Sequence, residues 1–127
     1  MSHFTTLKTR MIKREALEAA LEDLDYPFET GRVQIRGYEG IRTDVEIKVA
    51  TANAGYDIGF RKADGAYELV ADWWGIRDID RDDLIARLGQ RYAYRVTRSK
   101  LAEQGFELAD EQVDRDGRIH LTLRRAV

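Results

Sequence analysis

The sequence predicts an α+β fold in which a mostly antiparallel sheet carries two helices on one face. Apolar and polar residues alternate in several short stretches, as in strands that bury one face. Two longer segments instead repeat apolar residues every three or four positions, as amphipathic helices do. Short links between the strand-like stretches favour antiparallel neighbours. The predicted order is β-α-β-β-β-β-α-β-β, with the second face of the sheet left polar.

The clearest element is a hairpin over residues 56–75, where apolar and polar side chains alternate on both sides of a turn. Asp64 and Gly65 lie at its midpoint. A two-residue type I′ turn needs positive φ at both central positions, which Asp tolerates and Gly adopts freely. The resulting register joins three apolar pairs: Phe60 with Leu69, Ile58 with Ala71, and Tyr56 with Trp73.

Before this hairpin, the sequence predicts a strand at residues 4–11, a helix at 13–25 and two strands at 33–38 and 44–49. The helix carries apolar residues at helical spacing, and Pro27 cannot continue it. On the second of the two strands, the residues predicted to face the core are Val45, Ile47 and Val49.

The polar face of these strands predicts a ladder of opposite charges. If Val49 pairs with Tyr56, Asp44 lies opposite Arg61, and Arg61 in turn lies opposite Glu68. Opposite charges on neighbouring strands stabilise a sheet by about 0.2–1 kcal/mol per pair.

After the hairpin, residues 80–105 predict a long helix with Asp80 or Asp82 as its cap and Gly105 at its end. Its apolar stripe fades after Val96, so a bend, or packing against a second surface, is expected near residues 97–99. A closing hairpin over residues 106–113 and 118–124 turns at residues 114–117, and a change of apolar parity predicts an irregularity in its first strand.

Length and composition set broad limits. The 127 residues favour a single domain spanning residues 1–127. A net charge of −2 provides no basic surface for general nucleic-acid binding, so nucleic acid is not an expected partner. No apolar run reaches the roughly 20 residues of a membrane span, and the N-terminus has no signal-peptide core. We therefore expect a cytoplasmic protein.

The hairpin register also places Asp57 opposite Asp72 on the polar face, where like charges repel. The pair could hold a cation or a basic partner, or act as an acid–base couple. Alternatively it is structural, with Lys48 neutralising Asp57 and an arginine such as Arg36 or Arg124 neutralising Asp72. Two carboxylates are too few for a metal site, and we expect none.

Trp73 and Trp74 point to opposite faces of their strand. Trp73 is predicted to lie in the core, and Trp74 on the charged face or just beyond the end of the strand. An exposed tryptophan beside charges is a common binding anchor. The alternative is that the chain turns at Gly75 and folds over Trp74.

Four arginines form a stripe on the second predicted helix: Arg87, Arg91, Arg95 and Arg98. Such a row can bind phosphate groups or an acidic partner. The alternative is a solvated face in which Asp83 pairs with Arg87 at i, i+4.

No motif predicts catalysis or a bound cofactor, and we expect neither. His3 and His120 have no visible serine-histidine-aspartate setting, and His120 alternates with core residues, so it faces outward. The segment Gly37-Tyr38-Glu39-Gly40 lacks the Lys-Ser/Thr pair and the following helix of a phosphate-binding loop.

Several stretches carry a resemblance to a known family: MSHFTTLKTR, YDIGFRKADGAYELVADWWG, QRYAYRV, GFEL and IHLTLRR. In this order, and over nearly the whole chain, they resemble the domain-of-unknown-function family of small open reading frames in cyanobacteria and red-algal plastid genomes. The resemblance implies no activity and no catalytic residues. Because the family's genes often neighbour one for an AAA-type ATPase, it implies such a protein as partner, and a stromal location for plastid members.

These observations favour a non-catalytic interaction or regulatory module that docks on a protein partner. The alternative is a small-ligand or nucleic-acid binder that uses the exposed sheet face and the arginine stripe. The acidic residues predicted on that face argue against RNA, which sheet domains bind by stacking bases on aromatic side chains. A third hypothesis is an enzyme that uses Asp57 and Asp72.

Overall fold

This computed structural model describes residues 3–126, which fold as seven strands and two α-helices. Their bounds are β1 Thr5–Lys8, α1 Arg14–Asp23, β2 Phe28–Arg36, β3 Arg42–Ala50, β4 Asp57–Ala63, β5 Ala66–Ala71, α2 Arg81–Glu103, β6 Phe106–Val113 and β7 Ile119–Arg125. The order of elements is the one predicted. Strand β2 begins earlier than expected, at Phe28 rather than Val33.

The strands form two antiparallel sheets. The larger has the order β1-β5-β4-β3-β2, and β6 and β7 form a separate two-stranded sheet. The predicted α+β class with mostly antiparallel strands is therefore confirmed. In the described residues, no helix is both long enough and apolar enough to span a membrane.

The central hairpin has the predicted turn, with φ of 54° at Asp64 and 85° at Gly65. Two of the three predicted apolar pairs are present, Phe60 with Leu69 and Ile58 with Ala71. The third predicted pair, Tyr56 with Trp73, is wrong, because the β4–β5 ladder ends at Ile58 and Ala71. Trp73 instead begins a one-turn 3-10 helix, Trp73–Gly75.

The main core lies between one face of the larger sheet and the two helices. The sheet contributes buried residues from its three central strands, Ile47, Val49, Ile58, Phe60 and Leu69. They pack with Leu17, Ala20 and Leu21 of α1 and with Leu84 and Leu88 of α2. Helix α1 and the part of α2 up to Tyr92 thus cover this face.

A second apolar cluster corrects the expectation that the other sheet face is wholly polar. Val45 is buried as predicted, but it lies with Ile35 and Val70 in this cluster and not in the main core. The register between β2 and β3 shifts near Gly31. Gly59 leaves room for the cluster, since a Cβ atom there would lie 2.5 Å from Val45 Cγ1 and 2.9 Å from Ile35 Cγ2.

The register predicted between β3 and β4 is wrong. Val49 pairs with Ile58 rather than with Tyr56, so Asp44 does not lie opposite Arg61. The reason is local, because the Thr51 hydroxyl donates a 2.7 Å hydrogen bond to the Tyr56 carbonyl and closes the loop before β4 begins. The other half of the charge ladder is confirmed, since Arg61 Nε lies 3.4 Å from a Glu68 oxygen.

The chain divides after Tyr92 into two compact units. In the first, Asp80 caps α2 as predicted by accepting a 2.8 Å hydrogen bond from the Asp83 N–H. The helix α2 continues through residues 97–99, and the bend or second packing surface expected there stays a prediction. In the second unit, β6 has the predicted irregularity, between Leu108 and Asp110. The prediction of a single domain remains a prediction.

Candidate functional site

The candidate site lies where the tip of the β2–β3 hairpin meets the end of the central hairpin. The tip contains a one-turn 3-10 helix, Tyr38–Gly40, in which Glu39 has the left-handed φ of 54°. Such a conformation is uncommon for a residue with a side chain and often marks a functional segment. The tip is held in place by Asp57 and Asp72, the only charged residues in the buried set of residues 3–126.

Asp57 holds the strand that leads into the tip. Its side chain is fully buried, and one carboxylate oxygen accepts hydrogen bonds from the Arg36 backbone N–H at 2.9 Å and from Arg36 Nε at 3.0 Å. The second oxygen accepts from Arg36 Nη2 at 3.2 Å. These hydrogen bonds, and then the charge of Asp57, raise the pKa of Arg36 above its ordinary value. The prediction that Lys48 neutralises Asp57 is therefore wrong. Lys48 Nζ instead lies 3.7 Å from a Glu29 oxygen.

Asp72 holds the tip itself. Its carboxylate is 1% exposed and accepts hydrogen bonds from the backbone N–H groups of Tyr38, at 2.8 Å, and Trp74, at 3.3 Å. The two arginines predicted to neutralise it bind other carboxylates, Arg36 that of Asp57 and Arg124 that of Glu107. The β4–β5 ladder ends at the pair of Ile58 with Ala71, one position before Asp57 and Asp72, so their predicted opposition is not part of the ladder and stays a prediction.

Gly37 permits the close approach of the tip to Asp72. A Cβ atom at Gly37 would lie 2.9 Å from Asp72 Cβ and 3.0 Å from its Oδ2 atom. The first of these distances is shorter than carbon atoms reach without displacement. Gly37 is thus required for the Tyr38–Asp72 hydrogen bond.

Three aromatic side chains, Tyr38, Tyr56 and Trp74, cover this anchor and are called the aromatic platform below. The rings of Tyr38 and Trp74 meet edge to face, with centroids 5.1 Å apart and planes at 77°. The rings of Tyr56 and Trp74 are tilted by 45° at 6.4 Å. Burial, followed by the charges of Asp72 and Tyr38, raises the pKa of Tyr56.

Trp74 is the most exposed residue of the platform, at 64%. The alternative prediction, that the chain turns at Gly75 and folds over Trp74, is therefore wrong. Trp73, by contrast, is half-buried and packs against the main core, as predicted. Gly75 follows directly and lets the Tyr56 ring pack against the backbone, since a Cβ atom there would lie 2.1 Å from Tyr56 Cζ.

The four arginines of α2 do not form a free row. The predicted pair of Arg87 with Asp83 is confirmed at 3.6 Å. Arg91 donates to one Asp23 oxygen from Nε at 3.1 Å and from Nη2 at 2.9 Å. Arg98 donates to the Tyr94 hydroxyl at 3.2 Å and lies over its ring. Arg95 is half-buried on the same helix.

Arg91→Glu is expected to destabilise the fold by roughly 1–3 kcal/mol, because it places a second carboxylate beside the half-buried Asp23. Arg87→Glu is the matched control on the same helix. Its partner, Asp83, is exposed, so the expected loss is only a few tenths of a kcal/mol. Urea unfolding followed by circular dichroism measures both. Equal effects would contradict a structural role that is particular to Arg91.

His120 faces outward as predicted and lies on β7, close to the β6–β7 turn. Its Nε2 atom lies 2.9 Å from an Asp114 oxygen. That hydrogen bond, and then the Arg118 backbone N–H, lowers the pKa of Asp114. Within residues 3–126, no three side chains of His, Asp or Glu converge in an arrangement that could hold a metal ion.

Sequence reasoning did not identify Tyr38 and Tyr56 as site residues. Gly37 and Gly40 indicate the turn between two strands, but this pattern does not single out Tyr38 as a site residue. Tyr56 was assigned to a strand pair. Trp74, Asp57 and Asp72 were identified, and the structure brings all three to this region.

Comparison with known proteins gives a family and no activity. The family described as "Protein of unknown function (DUF1257)" matches residues 20–122. The chain is similar to "Uncharacterized protein ycf35" of Cyanophora paradoxa, at 33% identity, of Guillardia theta, at 34%, and of Pyropia yezoensis, at 31%. Each alignment covers 98% of both chains. No solved structure matches. The resemblance inferred from the sequence is confirmed.

Proposed function

We propose that this chain, which belongs to the DUF1257 family of proteins of unknown function, is a non-catalytic module that docks on a protein partner through its aromatic platform. The observation that carries the proposal is Trp74, a large aromatic side chain that is 64% exposed on an anchored backbone. Tryptophan and tyrosine are the residues most enriched among those that dominate the energy of protein interfaces.

The anchoring of the platform supports docking as its role. Asp72 binds the backbone of both Tyr38 and Trp74, so one buried carboxylate sets the position of two platform residues. A partner that binds a preorganised surface loses less conformational entropy than one that must order a mobile loop. An AAA-type ATPase is the first partner to test, because the resemblance to the family implies it.

The same contacts support a non-catalytic role for the two aspartates. An acid–base couple must reach the substrate proton directly or through one water molecule. The side chains of Asp57 and Asp72 are almost fully buried and accept hydrogen bonds from Arg36, Tyr38 and Trp74. Through these hydrogen bonds, the two aspartates hold the β2–β3 tip in position.

The ligand-binding alternative has less support. The open cleft on the sheet has a volume of about 510 Å³, but its lining mixes both signs of charge, with Arg32, Arg61 and Lys62 beside Asp44 and Glu46. On the arginine stripe, Arg87 and Arg91 are engaged by aspartates. Neither surface presents the continuous positive charge that a nucleic acid needs.

The proposal is tested by affinity capture from native extract with the wild-type chain, Trp74→Ala and Ile12→Ala. Ile12 is an exposed apolar residue outside the platform and serves as the matched control. We expect the wild type and Ile12→Ala to retain the same stoichiometric partner. Trp74→Ala is expected to weaken binding by about tenfold or more, the effect of losing an interface residue worth over 1.4 kcal/mol.

Mass spectrometry identifies the captured protein, and calorimetry with the purified partner measures the affinity of each variant. Trp74→Ala should unfold at nearly the same urea concentration as the wild type, since the side chain is mostly exposed. Equal capture by all three proteins would show that the platform is not the docking surface.

A further inference from the structure

We infer that the groove at the end of α1 binds the start of α1 of a second copy of this chain, as the contact of a homodimer. The groove has a volume of about 710 Å³ and is lined by Glu22, Asp25, Tyr26, Pro27 and Phe28. None of these residues belongs to the aromatic platform, so the groove is a second interaction surface in addition to the one proposed for docking.

The walls of the groove are apolar and already in place. Tyr26 and Phe28 pack against the main core but stay only half-buried, and Pro27 between them is exposed. The backbone is fixed where the chain leaves α1, because the Tyr26 N–H donates a 2.9 Å hydrogen bond to the Leu21 carbonyl. A second molecule therefore binds here without first ordering a loop.

The groove also carries two carboxylates that lack a cationic partner. Glu22 and Asp25 are exposed, and within residues 3–126 neither forms a salt bridge. Their neighbour Asp23 is instead bound by Arg91. The last turn of α1 contains no basic residue, so the negative end of the helix dipole adds to the charge of the two carboxylates. The groove therefore attracts a segment that combines positive charge with an apolar side chain.

The start of α1 has this combination. Arg10 and Lys13 are exposed, and no salt bridge holds either of them in the part of the chain that the structure describes. Between them, Ile12 is 52% exposed. The next cation, Arg14, is already paired with Glu18 at 2.8 Å. Residues 10–13 thus offer two positive charges and an apolar side chain to a groove with two negative charges and apolar walls.

The groove and the start of α1 of the same copy cannot meet. They lie at opposite ends of α1, whose ten residues span about 15 Å. The start is also tied down, since the Tyr92 hydroxyl accepts 2.9 Å hydrogen bonds from the N–H groups of Ile12 and Lys13. Just before it, the Thr9 hydroxyl donates to the Tyr67 carbonyl at 2.6 Å. A second copy therefore supplies the complementary segment.

A two-fold axis allows both contacts to form at once. Two antiparallel α1 helices place the start of each helix near the end of the other, and an interface of this kind closes as a dimer. Exposed residues that flank residues 10–13, Lys8 and Glu15, have opposite charges and leave the balance unchanged.

Other occupants suit these surfaces less well. Two cations without a partner are fewer than the roughly 6–10 phosphate contacts that make nucleic-acid binding strong. A membrane needs an apolar helix face to insert, but Leu17, Ala20 and Leu21 of α1 are buried in the main core.

Sedimentation velocity of the purified full chain tests the dimer with two charge variants. Glu22→Lys with Asp25→Asn makes the groove positive, and asparagine keeps the left-handed conformation that residue 25 adopts, with φ of 61°. Arg10→Glu with Lys13→Glu makes the start of α1 negative. At about 100 μM the wild type should be a dimer, and each variant alone should bind itself about tenfold or more weakly. An equal mixture of the two variants should restore the dimer, because each groove then meets a segment of opposite charge.

Both charge variants should remain folded. They place negative charge at the start of α1 and positive charge at its end, as the helix dipole favours, and thermal melts followed by circular dichroism check this. Salt at about 1 M, where the Debye length is about 3 Å, should weaken the wild-type dimer. Trp74→Ala is the matched control and should dimerise like the wild type, which separates this contact from docking through the platform.

A wild-type chain that stays monomeric at about 100 μM would overturn the inference. So would a mixture of the charge variants that fails to restore the dimer. If the wild type is monomeric and the Glu22→Lys, Asp25→Asn variant loses the captured partner, the groove binds a basic segment of a different protein, which also overturns the assignment to a second copy.

Discussion

Asp57→Asn lowers the free energy of unfolding by about 1–3 kcal/mol, as expected when a buried carboxylate loses the charge that binds a half-exposed arginine. The wild-type carboxylate accepts three hydrogen bonds from Arg36, one from the backbone and two from the guanidinium. An asparagine must turn its amide N–H₂ group toward one of these donors and lose that bond. The Arg36 side chain is 40% exposed, so water compensates only part of this loss. Urea unfolding at neutral pH measures the loss.

Asp44→Asn is the matched control for this substitution. Asp44 is exposed on β3, and its carboxylate accepts a hydrogen bond from Gln34 at the surface. The expected change is within about 0.5 kcal/mol, as for most surface substitutions. If Asp57→Asn were as mild as Asp44→Asn, the Arg36–Asp57 contact would not be what holds the β2–β3 tip.

Gly59→Ala is expected to destabilise the fold by about 2–3 kcal/mol, through overpacking of the second apolar cluster. The new methyl group would lie 2.5 Å from Val45 Cγ1 and 2.9 Å from Ile35 Cγ2. Both side chains are buried and branched at Cβ, so they cannot rotate away without displacing their own strands. The parts of β2 and β3 that carry Ile35 and Val45 must then shift relative to β4. Urea unfolding again measures the change.

Gly89→Ala is the matched control, with the same chemical change and the opposite expected sign. Gly89 lies within α2, and a Cβ atom there meets no other atom within 4 Å. Alanine should stabilise the helix by about 0.5–1 kcal/mol, because it loses less conformational entropy on folding than glycine. If Gly59→Ala stabilised the protein as Gly89→Ala does, the packing of Val45 and Ile35 over the sheet would be wrong.

Both destabilising substitutions act on the support of the aromatic platform. Asp57 holds the strand that enters the tip, and Gly59 makes room for the same hairpin to lie across the sheet. A folded but loosened variant should therefore bind the partner less well, although neither residue belongs to the platform. Weaker binding by these two variants would show that residues outside the platform hold the docking surface in position.

The sequence by itself determined the elements whose signals are local. The turn at Asp64 and Gly65 follows from the backbone conformations that these two residues accept, and it sets the pairing of Phe60 with Leu69. Asp80 at the start of α2 acts through the backbone of its own first turn. Each of these features depends on residues only a few positions apart in the chain.

Only the tertiary structure decided the partners of the buried carboxylates and the composition of the platform. Arg36 and Asp57 are separated by 21 residues, Tyr38 and Asp72 by 34, and Asp23 and Arg91 by 68. Alternation identifies which face of a strand a residue occupies, but it cannot show where a neighbouring hairpin bends across that face. The bend depends on Gly37 and Gly59, which are identified by the atoms that approach them. Those approaches form only when distant strands pack, so no local pattern in the chain encodes them.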